Sequence, residues 1–418
     1  MPKMTGFGKL SKYFKGFGYK RLKLVEIDPA ASNGHEFNGI ADFRSLFGDE
    51  RRVFPVRLLY LADNEDDVRE ERTEFTWYNA RERNPTRNEY RLYYKASSIM
   101  AQADVNDLLL VAVDARSNVY DTSEQITVFI AKHGDNVERQ LAWLFGFQLD
   151  NAGEQALVYD DCSQDMNFIM EMVLSKMGIV LQEEGHPSHD DEKLIDVMRQ
   201  KFGSDFPASA SFSEFARSLL PTVDPRDGAD QALMAWMDSE ETIFRLFEHD
   251  LVQQRLDEGV TSVEDFLSFS LSVQNRRKSR AGHALENHMR CLFDRLEIRY
   301  SHNAMTENKV RPDFIFPGIE EYWNQDFPVV QLSMLGVKTT CKDRWRQVLS
   351  EAQRIPEKHL LTLEPGISEN QTSEMAAKHL RLVIPRQLFA SYSGQQQAWL
   401  LDIDEFVHLL GRKQCRTH

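Results

Sequence analysis

Short apolar runs separated by polar segments fill the first third of this 418-residue chain. The clearest are VFPVRLLYL (53–61), DLLLVAV (107–113) and ITVFIA (126–131), each long enough for one buried strand. The Asn- and Asp-rich stretches between these runs are typical of turns. The pattern therefore predicts a mainly β domain over residues 1–155, either a barrel or a sandwich.

The spacing of apolar residues becomes helical after this region. MNFIMEMVLSKMGIVL (166–181) predicts a helix, and the acidic QEEGHPSHDDE (182–192) predicts a linker, so residues 156–200 are assigned to a helix and an acidic linker. The following segments predict amphipathic helices, listed as 211–220, 230–237, 262–273 and 282–298.

Strands and helices alternate in the last third, which favours an α/β layer within a domain spanning 201–418. The expected strands are PDFIFP (312–317), VVQLSMLGV (329–337), HLLTL (359–363) and LRLVIP (380–385). The expected helices among them are WRQVLSEAQ (345–353) and DIDEFVHLL (402–410).

Composition indicates a folded protein of two or three domains, with 42% hydrophobic and 11% aromatic residues. No run approaches the ~18 apolar residues of a membrane span, and the basic start lacks the apolar core of a signal peptide. The cysteines form no CxxC pair, which argues against a disulfide framework or a structural zinc site and favours a cytoplasmic protein. They are Cys162, Cys291, Cys341 and Cys415.

The net charge of −15 by itself argues against nucleic-acid binding, but the charge is unevenly distributed. Much of the acidity lies in 62–74 and 182–192, which we expect to be solvated loops or linkers. Three basic segments lie elsewhere, at 81–91, 275–280 and 342–346. A local DNA-binding face is therefore compatible with the composition.

Three residues of the last third have the chemistry of a phosphodiesterase site. Asp313 opens a predicted strand, Lys338 ends the next one, and Glu351 lies in the helix predicted over 345–353. Two carboxylates can bind a divalent cation that activates water, and a lysine can offset charge that develops on the phosphate. In a chain with 65 acidic residues this spacing also arises by chance, so a structural role stays open.

Longer motifs resemble the catalytic domain of the EcoRII family of type II (type IIE) restriction endonucleases. They are NRRKSRAGHALENH (275–288), RPDFIFPG (311–318), FPV (327–329) and VKTTCKDRWRQVLSEA (337–352). The resemblance covers about 200–410 and implies the PD-(D/E)XK nuclease fold. The expected fold class is then multidomain, with an N-terminal mainly β domain and a C-terminal α/β nuclease core with helical additions.

The resemblance assigns catalytic roles to Asp313, Lys338 and Glu351, with Asp313 and Glu351 binding Mg²⁺. Gly336 stands two residues before Lys338, where the motif usually has an acid, so this assignment requires Glu351 as the second acid. Glu286 matches a further acidic position and is expected to assist the metal site, unless it is an ordinary solvated helix residue.

The segment after Lys338 is expected to recognise bases. The resemblance implies that Lys342, Asp343 and Arg344 contact C:G pairs of CC-x-GG sites, because arginine can bridge guanine O6 and N7 and aspartate can accept from cytosine N4. A capped helix start with surface charges is the alternative, and Trp345 is expected in the core. The basic residues expected to hold phosphates are Arg276, Arg277, Lys278 and Arg280, which could equally be plain helix-surface charges.

In the N-terminal region, WYNARERNPTRNEYRLYY (77–94) interleaves arginines with tyrosines, which suits a β-ribbon facing a DNA groove. An exposed edge strand kept soluble by charge is the alternative. YN-x-R (78–81), TRNE-x-R (86–91) and SNGHE (32–36) resemble the B3-like pseudobarrel effector domain of the same family. The implied DNA contacts are Asn33, His35, Arg81, Arg83, Arg87, Asn88, Glu89 and Arg91.

Together these features predict a site-specific, Mg²⁺-dependent endonuclease that cuts double-stranded DNA at a short palindromic CC-x-GG-like site. The resemblance implies regulation by a second, effector copy of the site and a cognate cytosine methyltransferase as a separate protein. A homodimer follows from the symmetry of the target. Two alternatives stay open: a modification-dependent endonuclease that recognises methylcytosine, and a DNA-binding regulator with a non-cleaving nuclease fold.

Overall fold

The computed structural model describes residues 9–28, 35–83, 88–115, 124–149, 157–159, 162, 165–177, 189–259, 262–341 and 344–415. These residues form two compact units. The first contains the described part of 7–181 together with 365–368, and the second contains the rest of the described chain from 182 onward. None of the described helices combines the length and the apolar character needed to cross a membrane.

The described residues of the first unit build one sheet of eight strands, which confirms the predicted mainly β region. The strands are β1 (Phe14–Arg21), β2 (Glu36–Phe37), β3 (Arg52–Leu61), β4 (Arg69–Asn79), β5 (Tyr90–Tyr94), β6 (Leu108–Asp114), β7 (Ile126–Ala131) and β8 (Leu157–Tyr159). Their order is β2-β5-β4-β3-β7-β6-β1-β8, with β3 and β7 parallel and the other neighbours antiparallel. The helices are α1 (Leu24–Ile27), α2 (Arg44–Phe47), α3 (Ser98–Gln102), α4 (Asn136–Phe145) and α5 (Phe168–Lys176).

The apolar runs lie at the centre of this sheet, where both faces of the sheet are covered. β7 is buried at every position and β6 at all but its last, so their sequences are continuously apolar rather than alternating. The acidic stretch 62–74 is not wholly a loop, as had been expected. Its second half belongs to β4, where pairing with β3 places Arg57 2.8 Å from Glu70 and offsets the acidic charge.

The second unit begins with four helices, the first three of which enclose a core rich in phenylalanine. They are α6 (His189–Phe202), α7 (Ser209–Ser218), α8 (Ala229–Glu258) and α9 (Val263–Arg295). The expectation of separate helices over 262–273 and 282–298 is wrong, since α9 is continuous through both. Arg277 and Arg280 between them pair with Glu248 and Glu241 of α8, so the basic segment packs as helix instead of forming a loop.

A five-stranded sheet completes the described part of the second unit. Its strands are β9 (Ser301–His302), β10 (Phe314–Phe316), β11 (Ser333–Lys338), β12 (Lys358–Thr362) and β13 (Leu380–Val383), in the order β13-β12-β11-β10-β9. β11, β12 and β13 are parallel, and β10 is antiparallel to both of its neighbours. The helices are α10 (Ile319–Trp323), α11 (Trp345–Val348), α12 (Glu369–Ala377), α13 (Gly394–Gln397) and α14 (Ile403–Cys415). This sheet and its helices confirm the predicted α/β layer.

Candidate active site

Asp313 and Lys338 meet where the start of β10 lies beside the end of β11. The strands are antiparallel with Phe314 opposite Leu335, so Asp313, one residue before β10, lies next to the last residues of β11. Lys338 Nζ donates to Asp313 Oδ2 at 2.8 Å, and the Val337 N–H donates to the same oxygen at 2.6 Å. Asp313 is 8% exposed, and these two donors fix its carboxylate.

Glu351 lies in a turn and not on the helix predicted over 345–353. α11 ends at Val348, the Glu351 N–H donates to Val348 O at 3.1 Å, and Ala352 has a φ of 45°, which ends the helical path. The helical prediction fails because Val348 and Ala352 are buried by a compact turn, which gives the same apolar spacing as a helix. Glu351 is 8% exposed, and its Oε2 has no hydrogen-bond partner among the described residues.

Two acidic residues of the site, Glu351 and Glu286, have a raised pKa. Burial, followed by the negative charge of Asp313, raises the pKa of Glu351 from 4.5 to about 7, although Lys338 and Lys358 act in the opposite direction. The same two causes in the same order raise the pKa of Glu286, which lies on α9. Both carboxyl groups therefore hold their protons more tightly than a free glutamate does.

A cleft of about 370 Å³ opens beside Lys338. The lining residues are Gly282, Glu286, Val337, Lys338, Thr339, Arg344 and Gln347. Glu286 Oε2 also lies 3.6 Å from His302 Nε2, at the outer strand β9. The cleft thus brings the candidate catalytic lysine, the assisting acid and one candidate base-contacting arginine to a single surface.

The donor set of this site fits a hard divalent cation. Asp313 and Glu351 offer carboxylate oxygens, and the buried Oε2 of Glu351 accepts no hydrogen bond from the part of the chain that the structure describes. Within the described ranges, no three His, Cys, Asp or Glu side chains come together as a metal-binding group. Mg²⁺ is commonly bound by one or two carboxylates together with water and substrate phosphate, so two acids suffice.

Only part of the predicted base-contacting segment can be located. Arg344 is exposed and lines the cleft next to Lys338, whereas Lys342 and Asp343 lie outside the described residues. Trp345 is fully buried, which confirms its predicted place in the core.

The predicted phosphate-binding residues of α9 already have partners within the chain. Arg277 Nε donates to Glu248 Oε2 at 2.6 Å, and the guanidinium of Arg276 lies 4.2 Å from the centre of the Phe206 ring. Arg280 forms an ion pair with Glu241. The side chain of Arg277 is 60% exposed, whereas that of Arg280 is 20% exposed, so Arg277 is the more accessible to DNA. Lys278 belongs to α9, and its side chain lies outside the described part.

In the first unit, the predicted ribbon is the hairpin of β4 and β5. Arg81 Nε lies 2.7 Å and Arg91 Nη2 2.5 Å from the carboxylate of Glu89, and these two arginines hold the pKa of Glu89 at about 2. Asn88 Oδ1 accepts from Asn79 Nδ2 at 2.9 Å.

Two of the four remaining N-terminal candidates, Arg83 and His35, lie within the described residues. Arg83 is exposed in the turn after β4, and the ring of His35 packs edge-on against Tyr94 at 5.3 Å. Asn33 and Arg87 lie outside the described residues. In the N-terminal region, the structure therefore shows where the β4–β5 hairpin lies and which of its side chains form ion pairs.

Sequence reasoning missed two sets of residues near these sites. The first is Lys358, which lies behind the turn that carries Glu351. The sequence feature that could have identified it is its place directly before the apolar run HLLTL. In the first unit a cleft of about 320 Å³ is lined by Arg51, Thr76, Tyr78 and Tyr93, which share one face of the β4–β5 hairpin and its neighbour.

Comparison with known proteins gives a family for the second unit. Residues 244–407 match the family described as EcoRII C terminal. Over 205 residues the chain is 40% identical to the type II restriction enzyme EcoRII of Escherichia coli, an alignment that covers 48% of this chain and 50% of that enzyme. The chain thus spans about half the length of this curated relative. The predicted resemblance to this family is confirmed for residues 244–407, which match the EcoRII C-terminal model.

Two solved structures are also similar. Metal-depleted Ecl18kI in complex with uncleaved DNA is 17% identical, with a TM-score of 0.44, covering 55% of this chain and 86% of that one. The restriction endonuclease PspGI–substrate DNA complex is 16% identical, with a TM-score of 0.38, covering 56% of this chain and 98% of that one.

Proposed function

We propose that this chain, whose residues 244–407 match the EcoRII C-terminal family, is a type II restriction endonuclease. It would hydrolyse phosphodiester bonds in double-stranded DNA at a short palindromic site of the CC-x-GG kind, with Mg²⁺ as cofactor and in the cytoplasm. The observation that carries the proposal is the contact of Asp313 with Lys338, which lines a cleft together with Glu286, while burial and the negative charge of Asp313 raise the pKa of the buried Glu351.

Asp313 and Glu351 would hold the divalent cation. When bound, such a cation polarises the phosphate and makes a bound water more acidic. Its positive charge would also offset burial and the repulsion from Asp313, the two causes that raise the pKa of Glu351, so that Glu351 would be ionised in the working site.

Lys338 would act on the phosphate itself. Its ammonium group is anchored by Asp313 at 2.8 Å and lines the cleft, so it is positioned to offset negative charge that develops on the phosphate oxygens. Glu286 lines the same cleft and would support the site from beside Asp313, as an acid whose own pKa is raised.

Recognition of the site would depend on Arg344 together with Lys342 and Asp343. Arg344 is exposed and shares the cleft with Lys338, so an arginine bound to a guanine edge would set the distance from that base to the scissile phosphate. Arg276, Arg277, Lys278 and Arg280 would contribute charge for phosphate contacts, with Arg277 as the most accessible among those whose side chains are described.

The domain boundaries proposed are 1–155 for a B3-like effector DNA-binding domain, 156–200 for a helix and acidic linker, and 201–418 for a PD-(D/E)XK endonuclease domain. The β4–β5 hairpin, with Arg81, Arg91 and Glu89, would contact effector DNA. Because a palindromic duplex has twofold symmetry, two copies of the chain would cut its two strands. A separate cytosine methyltransferase would protect the host's own sites.

The proposal is tested by cleavage of unmethylated plasmid carrying several CC-x-GG sites, with Mg²⁺ and with EDTA. Lys338→Ala is the inactive variant, and Lys378→Ala, an exposed lysine of the same unit, is its matched control. The expected result is discrete fragments that require both Mg²⁺ and Lys338. Plasmid that is bound but never cut would contradict the proposal and favour a DNA-binding regulator. Cutting confined to cytosine-methylated plasmid would favour a modification-dependent endonuclease.

Effector regulation is tested by deleting residues 1–190 and comparing cleavage of plasmids with one and with several sites. The expected result is that the full chain depends on the number of sites and the truncated chain does not. Equal dependence in both proteins would contradict a regulatory role for the N-terminal domain.

A further inference from the structure

A buried lysine lies directly behind the turn that carries Glu351. Lys358 is the first residue of β12 and is 7% exposed. Its Nζ donates to Ala352 O at 3.1 Å and to Ile355 O at 2.9 Å. A buried ammonium group is unfavourable unless it is hydrogen-bonded, so these two carbonyls account for its presence in the interior.

The turn needs such support because its backbone is unusual. Ala352 has a φ of 45°, in the left-handed region that residues other than glycine seldom adopt. Its carbonyl accepts from both Lys358 Nζ and the Ile355 N–H, the latter at 2.9 Å. A charge-assisted bond is stronger than one between neutral groups, so Lys358 contributes strongly to holding this conformation.

The direction of the Glu351 carboxylate depends on this backbone. Its Oε2 is buried, and no group of the described ranges hydrogen-bonds to that oxygen. Glu351 immediately precedes Ala352, and rotation of the turn would therefore move the carboxylate away from Asp313. The other side of the turn is held by Arg354, whose guanidinium donates to Asn324 O at 2.7 Å and Phe327 O at 2.7 Å.

We infer that Lys358 is a positioning residue for Glu351. By binding the carbonyls of Ala352 and Ile355, it keeps the turn in the conformation that presents the Glu351 carboxylate to the site of Asp313 and Lys338. The inference rests on the proposed function, in which Glu351 is the second metal-binding acid.

The test compares Lys358→Met, which removes the charge and the donors at similar length, with Lys378→Met, an exposed lysine of the same unit. Hydrogen–deuterium exchange in EDTA gives the stability of the turn, and calorimetric titration with Mn²⁺ without DNA gives the metal affinity. For Lys358→Met we expect exchange over 349–356 to accelerate at least tenfold and the Mn²⁺ dissociation constant to rise at least tenfold. Lys378→Met is expected to match the wild type in both.

Two results would overturn the inference: unchanged exchange over 349–356, or exchange accelerated equally throughout the unit, which would mean general support of the fold. If Lys358→Met does not fold, Lys358→Gln keeps an N–H donor without the charge and is measured in the same way. Wild-type protein that neither cuts DNA nor binds Mn²⁺ would contradict the proposed function, while the exchange comparison would still decide whether Lys358 holds the turn.

Discussion

Lys338 Nζ lies 2.8 Å from Asp313 Oδ2, although the two residues are 25 positions apart in the chain. The contact crosses between two antiparallel strands, and the Val337 N–H binds the same carboxylate oxygen. The register of β10 and β11 therefore builds the centre of the candidate active site, because a shift of one residue would turn Lys338 to the other face of the sheet.

Asp313→Asn is expected to reduce cleavage by about a thousandfold, as is common when a group that stabilises the transition state is lost. The asparagine side chain keeps an acceptor for the Val337 N–H, so folding and DNA binding should persist. Single-turnover cleavage and DNA binding in EDTA measure the two effects, with the exposed Asp326→Asn as control. Activity within tenfold of the wild type would contradict a catalytic role for Asp313.

Glu351→Gln is expected to abolish cleavage and at the same time to stabilise the metal-free protein. In the folded wild type the pKa of Glu351 is raised from 4.5 to about 7. The wild-type protein therefore loses folding stability as pH rises from 4.5 to 7, by on the order of 3 kcal/mol at about 1.4 kcal/mol per pH unit. Urea unfolding at pH 8 should therefore show a more stable variant, and the gain should vanish near pH 4.5. The exposed Glu214→Gln should show no such pH-dependent gain.

Gly336→Ala is expected to destabilise the protein by about 1–3 kcal/mol through overpacking. An added Cβ would lie 3.0 Å from Val348 Cγ2 and 3.3 Å from its Cγ1, tighter than ordinary contact. For the same reason, Gly336→Glu should not restore cleavage to Glu351→Gln, although it recreates the usual acidic position of the motif. Thermal unfolding and cleavage give the two readouts. Gly411→Ala, with open space around its Cα, is the control, and recovery of activity in the double variant would contradict this account.

Arg344→Ala is expected to lower sequence discrimination by about ten- to a hundredfold. Discrimination here means the preference for the true site over a site in which one guanine is replaced. Arg344 lines the cleft, whereas Arg346 in the same segment is bound to Glu374 at 3.1 Å. Cleavage rates on the two duplexes provide the measurement, and Arg346→Ala is the matched control. Equal loss of specificity in both variants would indicate a general effect of charge.

Arg280→Met and Arg277→Ala are expected to affect different properties. Arg280 pairs with the buried Glu241 and lies 4.0 Å from the centre of the Phe244 ring, and Arg245 binds the same carboxylate at 2.9 Å. Loss of Arg280 should therefore cost about 1–3 kcal/mol of stability by removing one of the two arginines that bind this buried carboxylate. Arg277 is 60% exposed, and besides weakening its pair with the buried Glu248, its loss should lower the salt dependence of DNA binding by about one counterion. Chemical unfolding measures the effect on stability, and DNA binding at several salt concentrations measures the effect on phosphate contacts. A stability loss confined to Arg277→Ala and a binding loss confined to Arg280→Met would contradict this assignment.

Several elements could be predicted because their signal is local. β3, β6 and β7 lie at the apolar runs that predicted them, and α14 covers the amphipathic segment after residue 402. The candidate acids and the lysine were found from motifs that keep their neighbours, such as RPDF and KTTCKDRWRQ. Apolar periodicity and motif identity can both be recognised within a short window, without knowing which elements pack together.

Other features were missed because they depend on packing between distant residues. The continuity of α9 follows from ion pairs with α8, whose residues Glu241 and Glu248 come some 30 to 40 positions earlier. Helix α11 is short because the chain continues into a turn after it. Lys358 holds this turn by donating hydrogen bonds to the carbonyls of Ala352 and Ile355. Apolar spacing in WRQVLSEAQ could not distinguish this buried turn from a helix.

By itself, then, the sequence determined many of the described strands, some of the helices and the chemical groups available for catalysis, because hydrophobic periodicity and side-chain chemistry belong to each segment. The tertiary structure alone decided that Asp313 meets Lys338, that Glu351 lies buried in a turn behind which Lys358 is placed, and that Arg280 binds Glu241. These are relations between segments, and they are determined by strand register and by the need to pair or hydrogen-bond buried charge.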